Sequence, residues 1–219
     1  VSGICVPNLI GNIANWDYIY NFANENNLKV IEDSADTIGY KYKTTLENWS
    51  DISTTSFYAS HLITGAGFGG MVSFNDEKNY ELALKLRGWG RRSSLYQETE
   101  DLERRFNSKI ENIDYDDKYI FDEIAYNFLP SEISAAFALV QMKKLQKNIK
   151  KRIENYQYLK EGIGISNNFY IPNSYNNVET GWLAFPVILE NKLSNFRTTF
   201  QKYLESYGIQ TRTIFTGNI

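Results

Sequence analysis

His61 is the one histidine among 219 residues, and its surroundings suit chemistry. It follows residues 52–58, rich in β-branched and aromatic side chains, and precedes the segment Thr64-Gly-Ala-Gly-Phe-Gly-Gly70. An imidazole exchanges protons near neutral pH, so a histidine there can act as base and then as acid. A lone histidine is more often structural. Its place at a strand end beside a backbone-accessible loop brings the two readings close to level. Asp33 is the second candidate. Leu28-Lys-Val-Ile31 reads as a buried strand ended by Glu32-Asp33, and open α/β sheets bind ligands outside the carboxyl ends of their strands. A carboxylate there can keep a pyridinium nitrogen protonated and so make the ring an electron sink. Position alone fits a helix cap or a turn aspartate equally well.

The glycines are weak evidence. They suit an anion-binding turn or a tight connection between strands. No Lys-Ser/Thr follows the last glycine, as a phosphate-binding P-loop needs. The glycines at 65, 67, 69 and 70 precede a strand-like segment, which is not the dinucleotide fingerprint. Ser56 and Ser60 lack the spacing of a nucleophile elbow.

Strand and helix signals alternate around these residues, as in a mainly parallel sheet with helices on its faces. Residues 3–6, 28–31, 52–58 and 70–74 read as strands. Asn15 caps a predicted helix over 16–26, and Asp76 caps another running to about Arg87. The stretch 91–119 is long, charged and poor in aliphatic residues, as expected of a surface excursion or subunit contact. From Pro130 a helical pattern places Ile133, Ala136, Phe137, Val140, Leu145 and Ile149 on one stripe. The basic run 143–152 reads as its solvated face. A strand over 182–189, a helix over 194–206 and a strand over 209–215 follow. The expected division is part of a large domain over 1–147, then a linking helix and part of a small α/β domain over 148–219.

A net charge of −3 and a pI near 5.4 argue against a nucleic-acid surface. Cys5 is the single cysteine, which excludes an internal disulfide or a site built from several thiolates. No apolar run approaches the length of a membrane span, and the first residues lack a secretion signal; a cytoplasmic protein is expected. The apolar start and the end at Ile219 fit a fragment of a longer protein.

Five segments in order carry a family resemblance: Ile31-Glu-Asp-Ser-Ala-Asp36, Asp51-Ile-Ser-Thr-Thr-Ser-Phe-Tyr-Ala-Ser-His61, Arg87-Gly-Trp-Gly-Arg91, Ala125-Tyr-Asn-Phe-Leu-Pro-Ser-Glu-Ile133 and Thr211-Arg-Thr-Ile-Phe-Thr-Gly-Asn218. Together they resemble the DegT/DnrJ/EryC1/StrS family of sugar aminotransferases and dehydratases. The resemblance covers essentially the whole chain and lacks the family's N-terminal part and the end of its small domain. It implies the aspartate aminotransferase (type I) fold of pyridoxal-phosphate-dependent transferases, a three-layer α/β/α large domain plus a small α/β domain.

In most of that family a lysine that bonds covalently to pyridoxal phosphate stands where this chain has His61. Histidine there is similar to the branch of 3-dehydratases acting on nucleotide-linked 4-keto-6-deoxyhexoses, in deoxysugar and lipopolysaccharide biosynthesis. The resemblance implies pyridoxamine phosphate held without a covalent bond. His61 would then remove a proton from the cofactor's C4′ carbon as the C3 hydroxyl leaves. By matching position, Asp33 resembles the pyridinium partner and Ser56 a phosphate ligand. Asn127 resembles a phosphate contact from a neighbouring subunit, implying a homodimer with shared active sites; it also suits a helix-entry cap. Asp36 and Arg212 resemble residues lining the cofactor or substrate cavity. Glutamate is the implied amino donor. One branch carries a cysteine-ligated iron–sulfur cluster; Ala35 and the segment after Arg91 lack its cysteines, so no cluster is expected. The loop after His61 is one residue longer than the commonest family form. Two rivals remain: a sugar aminotransferase with a substituted lysine, and a paralogue that binds without turnover.

Overall fold

In the computed structural model, which describes residues 1–96 and 100–214, strand β1 (Gly3–Pro7), helix α1 (Trp16–Glu25) and strand β2 (Lys29–Asp33) form one crossover unit. Asn15 starts the helix as expected, its side chain accepting the Tyr18 N–H at 3.1 Å. β1 and β2 run parallel, from Gly3 opposite Lys29 to Pro7 opposite Asp33. The two-residue strand β3 (Lys41–Tyr42) lies apart from this sheet. Strand β4 (Ile52–Ser56) joins β2 in parallel with Asp33 opposite Thr54. Strand β5 (Gly70–Phe74) then pairs antiparallel with β4, Gly70 facing Ser56. Residues 57–69 contain no helix to carry the chain back across the sheet, so it returns antiparallel. The order is β1-β2-β4-β5, mainly parallel as expected. The carboxyl ends of β1, β2 and β4 therefore share one edge, and the loop bearing His61 lies at it.

Apolar side chains set the layers. Trp16 and Ala23 of α1 pack on Ile13 and Val30, with Tyr40 and Trp49 beside them. Helix α2 (Glu77–Arg87) begins at Asp76, whose carboxylate accepts the Asn79 N–H at 2.9 Å. The stretch after Arg91 is more structured than a surface excursion. It holds helix α3 (Leu102–Arg105) and the hairpin of β6 (Ser108–Ile110) and β7 (Ile113–Tyr115). Ser93 and Asp117 within it are buried. Asp122 ties the stretch to α2, accepting from Arg92 at 2.7 Å and lying 3.1 Å from Lys85 Nζ.

The Arg92 hydrogen bond, joined by Lys85, holds the Asp122 carboxyl below the usual carboxylate range. A depressed carboxylate stabilises the fold above its unfolded pKa of about 4 and loses that contribution as pH falls through the folded value. Asp122→Asn is expected to lower stability at neutral pH by about 1 kcal/mol or less, because the pair is partly solvated. Thermal unfolding should show the deficit shrinking on acidification; a deficit independent of pH would contradict the ion-pair account.

The helical pattern after Pro130 resolves into two helices, α4 (Glu132–Met142) and α5 (Leu145–Ile163). Pro130 precedes the N-cap, Ser131. A tight turn separates them, the Lys144 N–H bonding the Gln141 carbonyl at 2.9 Å. The predicted stripe is covered only at its far end. Leu145 and Ile149 pack with Ala138 on Ile63, whereas Ile133, Ala136, Phe137 and Val140 are exposed, Ile133 at 79%. Periodicity marks an apolar face but not what lies against it. The basic run is solvated except at Arg152, which donates to the Trp182 and Leu183 carbonyls at 2.9 and 3.1 Å. Burial lowers its guanidinium pKa.

The last third departs most from the sequence reading. β8 (Phe169–Tyr170), β9 (Val178–Glu179) and β10 (Ile188–Leu189) are two-residue strands. β9 pairs with β3 and β10 with β8, both antiparallel. Only residues 188–189 of the expected strand 182–189 are extended in a ladder. Trp182 has φ 32°, a backbone conformation outside the strand region, and stacks on Tyr156 at 4.7 Å. The helix expected over 194–206 begins as a 3-10 turn, Asn191–Phe196, and becomes α6 over Arg197–Ser206. Residues 209–214 form no strand. Gly208, at φ 77°, turns the chain so that the Ile209 N–H closes on the Leu204 carbonyl at 3.0 Å. Phe215, the end of that expected strand, lies outside the described residues. Among the described residues no helix is long and apolar enough to cross a membrane.

Candidate active site

Asp33 closes β2, and its Oδ1 accepts the Ala35 N–H at 3.0 Å and the Thr54 hydroxyl at 3.4 Å. Both hydrogen bonds recorded among the described residues fall on Oδ1. Oδ2 is therefore the atom left for a ligand at the sheet edge. Three residues later, buried Asp36 sits in the turn that follows. Its Oδ2 accepts the Ile10 N–H at 2.8 Å. Ile10 holds φ 51°, a left-handed conformation that costs a β-branched residue about 1–3 kcal/mol. The Leu183 N–H, donating to the Ile10 carbonyl at 2.8 Å, holds the same residue from the other side. Such strain persists where neighbours over-determine it, and here it lies against a site carboxylate.

The loop after β4 brings His61 to Asp36. The His61 N–H bonds the Tyr58 carbonyl at 3.1 Å. Its ring lies edge-on to Tyr58, with centroids 5.8 Å apart. Nε2 stands 3.5 Å from Asp36 Oδ1, with the two side chains 14% and 10% exposed. Nδ1 stands 3.4 Å from the Ser56 carbonyl. Ser56 Oγ accepts the Tyr58 N–H at 3.2 Å.

The glycines build a connection and not an anion cradle. The Gly65 N–H bonds the Phe57 carbonyl at 2.8 Å, Phe68 N–H the Gly65 carbonyl at 3.3 Å, and Gly67 N–H the Thr64 hydroxyl at 3.1 Å. A Cβ on Gly65 would stand 2.3 Å from the Phe68 carbonyl oxygen. The loop folds on itself and fixes the segment that carries His61.

The structure thus gathers Asp33, Asp36, Ser56 and His61 at one sheet edge. Asn127 and Arg212 do not join them. Asn127 is exposed, forms a β-bridge with Gly88 and accepts the Leu129 N–H at 3.4 Å. Ser131, not Asn127, occupies the N-cap of α4. Exposed Arg212 donates to the Thr211 carbonyl at 2.8 Å.

Sequence reasoning passed over three neighbours of the site. Ile10 contributes through its backbone, which leaves no mark in residue type. Tyr58 reads as the end of a strand. Glu32 reads as half of an acidic pair, yet successive strand residues face opposite sides, so only one of the pair can face each way. Its buried carboxylate accepts from Asn8 at 2.8 Å, Ser34 at 2.6 Å, Tyr40 at 2.5 Å and Trp49 at 2.9 Å. Burial, with the Glu32 charge adding to it, pushes the Tyr40 phenol well above its ordinary pKa.

An open sheet with carboxylates, a hydroxyl and an imidazole at its carboxyl edge matches a known architecture. An Escherichia coli GDP-4-keto-6-deoxy-D-mannose-3-dehydratase solved with bound hydrated PLP superposes with a TM-score of 0.83 at 24% identity, over 100% of this chain and 54% of that one. The fold is that of the pyridoxal-phosphate-dependent aminotransferases. The chain belongs to the DegT/DnrJ/EryC1/StrS aminotransferase family, whose model matches residues 2–219. It is 28% identical over 223 residues to the lipopolysaccharide biosynthesis protein RfbH of Salmonella typhimurium, covering 100% of this chain and 51% of that protein. It is 30% identical over 220 residues to dTDP-4-dehydro-2,6-dideoxy-D-glucose 3-dehydratase of Saccharopolyspora spinosa, covering 99% and 47%. The chain spans about half the length of these relatives.

Proposed function

We propose that this chain carries the proton-transfer site of a pyridoxamine-phosphate-dependent dehydratase, one that removes the C3 hydroxyl of a nucleotide-linked 4-keto-6-deoxyhexose. The observation that carries the reading is His61 standing where the family's anchoring lysine is expected, paired with a buried carboxylate. The residues present fit the cofactor. Asp33 Oδ2 is available to a ring nitrogen, and the Ser56 hydroxyl lies at the end of the adjacent strand for a phosphate. Buried Thr37, next to Asp36, has a hydroxyl without a hydrogen-bond partner among the described residues. When bound, pyridoxamine phosphate supplies the amine that joins the sugar's C4 carbonyl and a ring that takes up electrons.

His61 takes the proton from the carbon bearing that amine and returns it to the departing C3 hydroxyl. Asp33 keeps the ring nitrogen protonated. In this reading Asn127 reaches the phosphate of a partner subunit in a homodimer, and Arg212 contacts substrate. Glutamate would supply the amine to the bound cofactor. The net change converts keto sugar and glutamate into 3-deoxy keto sugar, 2-oxoglutarate and ammonia, and glutamate is the reductant.

The test is incubation with GDP-, CDP- and dTDP-linked 4-keto-6-deoxyhexoses, pyridoxal phosphate and glutamate, followed by mass spectrometry. A product lighter by one oxygen is expected. An aminated sugar would establish the aminotransferase rival, and bound cofactor without any product the inactive paralogue.

A further inference from the structure

Both ring nitrogens of His61 face an oxygen. The Ser56 carbonyl meets Nδ1 at 3.4 Å with hydrogen-bonding geometry, and Asp36 Oδ1 lies 3.5 Å from Nε2. A carbonyl oxygen and an ionised carboxylate both only accept, so each ring nitrogen faces an acceptor and the doubly protonated ring satisfies both. With the Ser56 carbonyl taking the Nδ1–H, Nε2 is the nitrogen that gains and loses the second proton. A proton arriving there would complete a charge-assisted bond to Asp36. The carboxylate itself cannot swing away easily, because its other oxygen is held by the Ile10 N–H at 2.8 Å.

We propose that Asp36 is a positioning residue for His61: it aims Nε2 and holds the charged ring between the two proton transfers, while Ser56 fixes the opposite nitrogen through its main chain. This rests on the dehydratase reading and replaces a cofactor-contact role for Asp36 with one exercised through the histidine. The proton balance is closed. Nε2 gains one proton from the carbon bearing the amine and loses it to the leaving hydroxyl, and Asp36 stays ionised throughout.

Two measurements test the pair separately from the reaction. With one histidine in the chain, ¹⁵N spectra of the ring need no assignment. Asp36→Asn is expected to shift the Nε2 resonance while Nδ1 keeps its proton and the thermal midpoint changes little. An unmoved Nε2 resonance would overturn the contact. In turnover, Asp36→Asn is expected to lower kcat about 100-fold, the scale of a misaimed catalytic group. KM and the Kd for pyridoxamine phosphate should stay within about twofold, and Asp36→Glu should restore part of the rate. In a His61→Asn background the same substitution should cost about twofold or less. An equal loss in both backgrounds, or a weakened cofactor Kd, would assign Asp36 to the cofactor and defeat the proposal. A resonance that Asp36→Asn shifts, together with a wild-type protein that dehydrates no sugar, would leave the pairing intact and sink the dehydratase reading instead.

Discussion

Replacing His61 with asparagine is expected to lower C3 dehydration by about 10³-fold, the usual scale for a general acid–base group. Asparagine keeps much of the side chain's shape but can neither take nor return a proton, so the loss should fall on kcat. Cofactor binding should persist, because the Asp33 carboxylate and the Ser56 hydroxyl hydrogen-bond to groups other than His61. His61→Lys is expected to behave differently: its amine should attach pyridoxal phosphate covalently, seen as cofactor absorbance that survives gel filtration. If the asparagine variant dehydrates at the wild-type rate, another residue is the base. If the wild type removes no hydroxyl while the lysine variant transfers amino groups, the dehydratase reading fails.

The largest expected loss of stability comes from Glu32→Ala. The substitution would leave the buried Asn8 amide, and the partly buried Trp49 indole N–H and Tyr40 hydroxyl, without their acceptor. Each such orphan costs about 1–3 kcal/mol, so a total of about 3 kcal/mol or more is expected. That is a large share of the roughly 5–15 kcal/mol that holds a typical domain together. Urea denaturation should show the midpoint falling with the slope unchanged. Glu32→Gln, which keeps an acceptor oxygen but adds two donors, should lie between. A loss below about 1 kcal/mol for the alanine variant would mean that the donors find other acceptors.

The first half of the chain was readable because local rules decide it. Asn15 and Asp76 cap helices as their types require, and β-branched runs became β4 and its neighbours. The direction of β5 was not readable, since it depends on whether residues 57–69 contain a crossover helix. The strand expected at 182–189 failed because Trp182 packs on Tyr156 through a left-handed backbone, a tertiary contact that outweighs apolar patterning. In the site, the strand-end position of Asp33 was legible from pattern alone. The approach of Asp36 to His61, 25 residues apart in sequence, was not, and neither was the Ile10 N–H that fixes it. Family resemblance named Asp36 but assigned it to the cavity wall. Side-chain geometry adds that its Oδ1 stands 3.5 Å from the imidazole Nε2.

The two carboxylates at the end of β2 divide their work by pleat. Glu32 anchors the dry side through four donors, and Asp33 faces the proposed ring nitrogen with one oxygen open. Their roles depend on the phase of a single strand. Losing or gaining one residue between Lys29 and Ile31 would rotate both to the wrong side together. A single indel there is a double lesion, in folding and in chemistry, that no second-site carboxylate could repair. This short stretch should tolerate exchanges of residue type far better than any change of length.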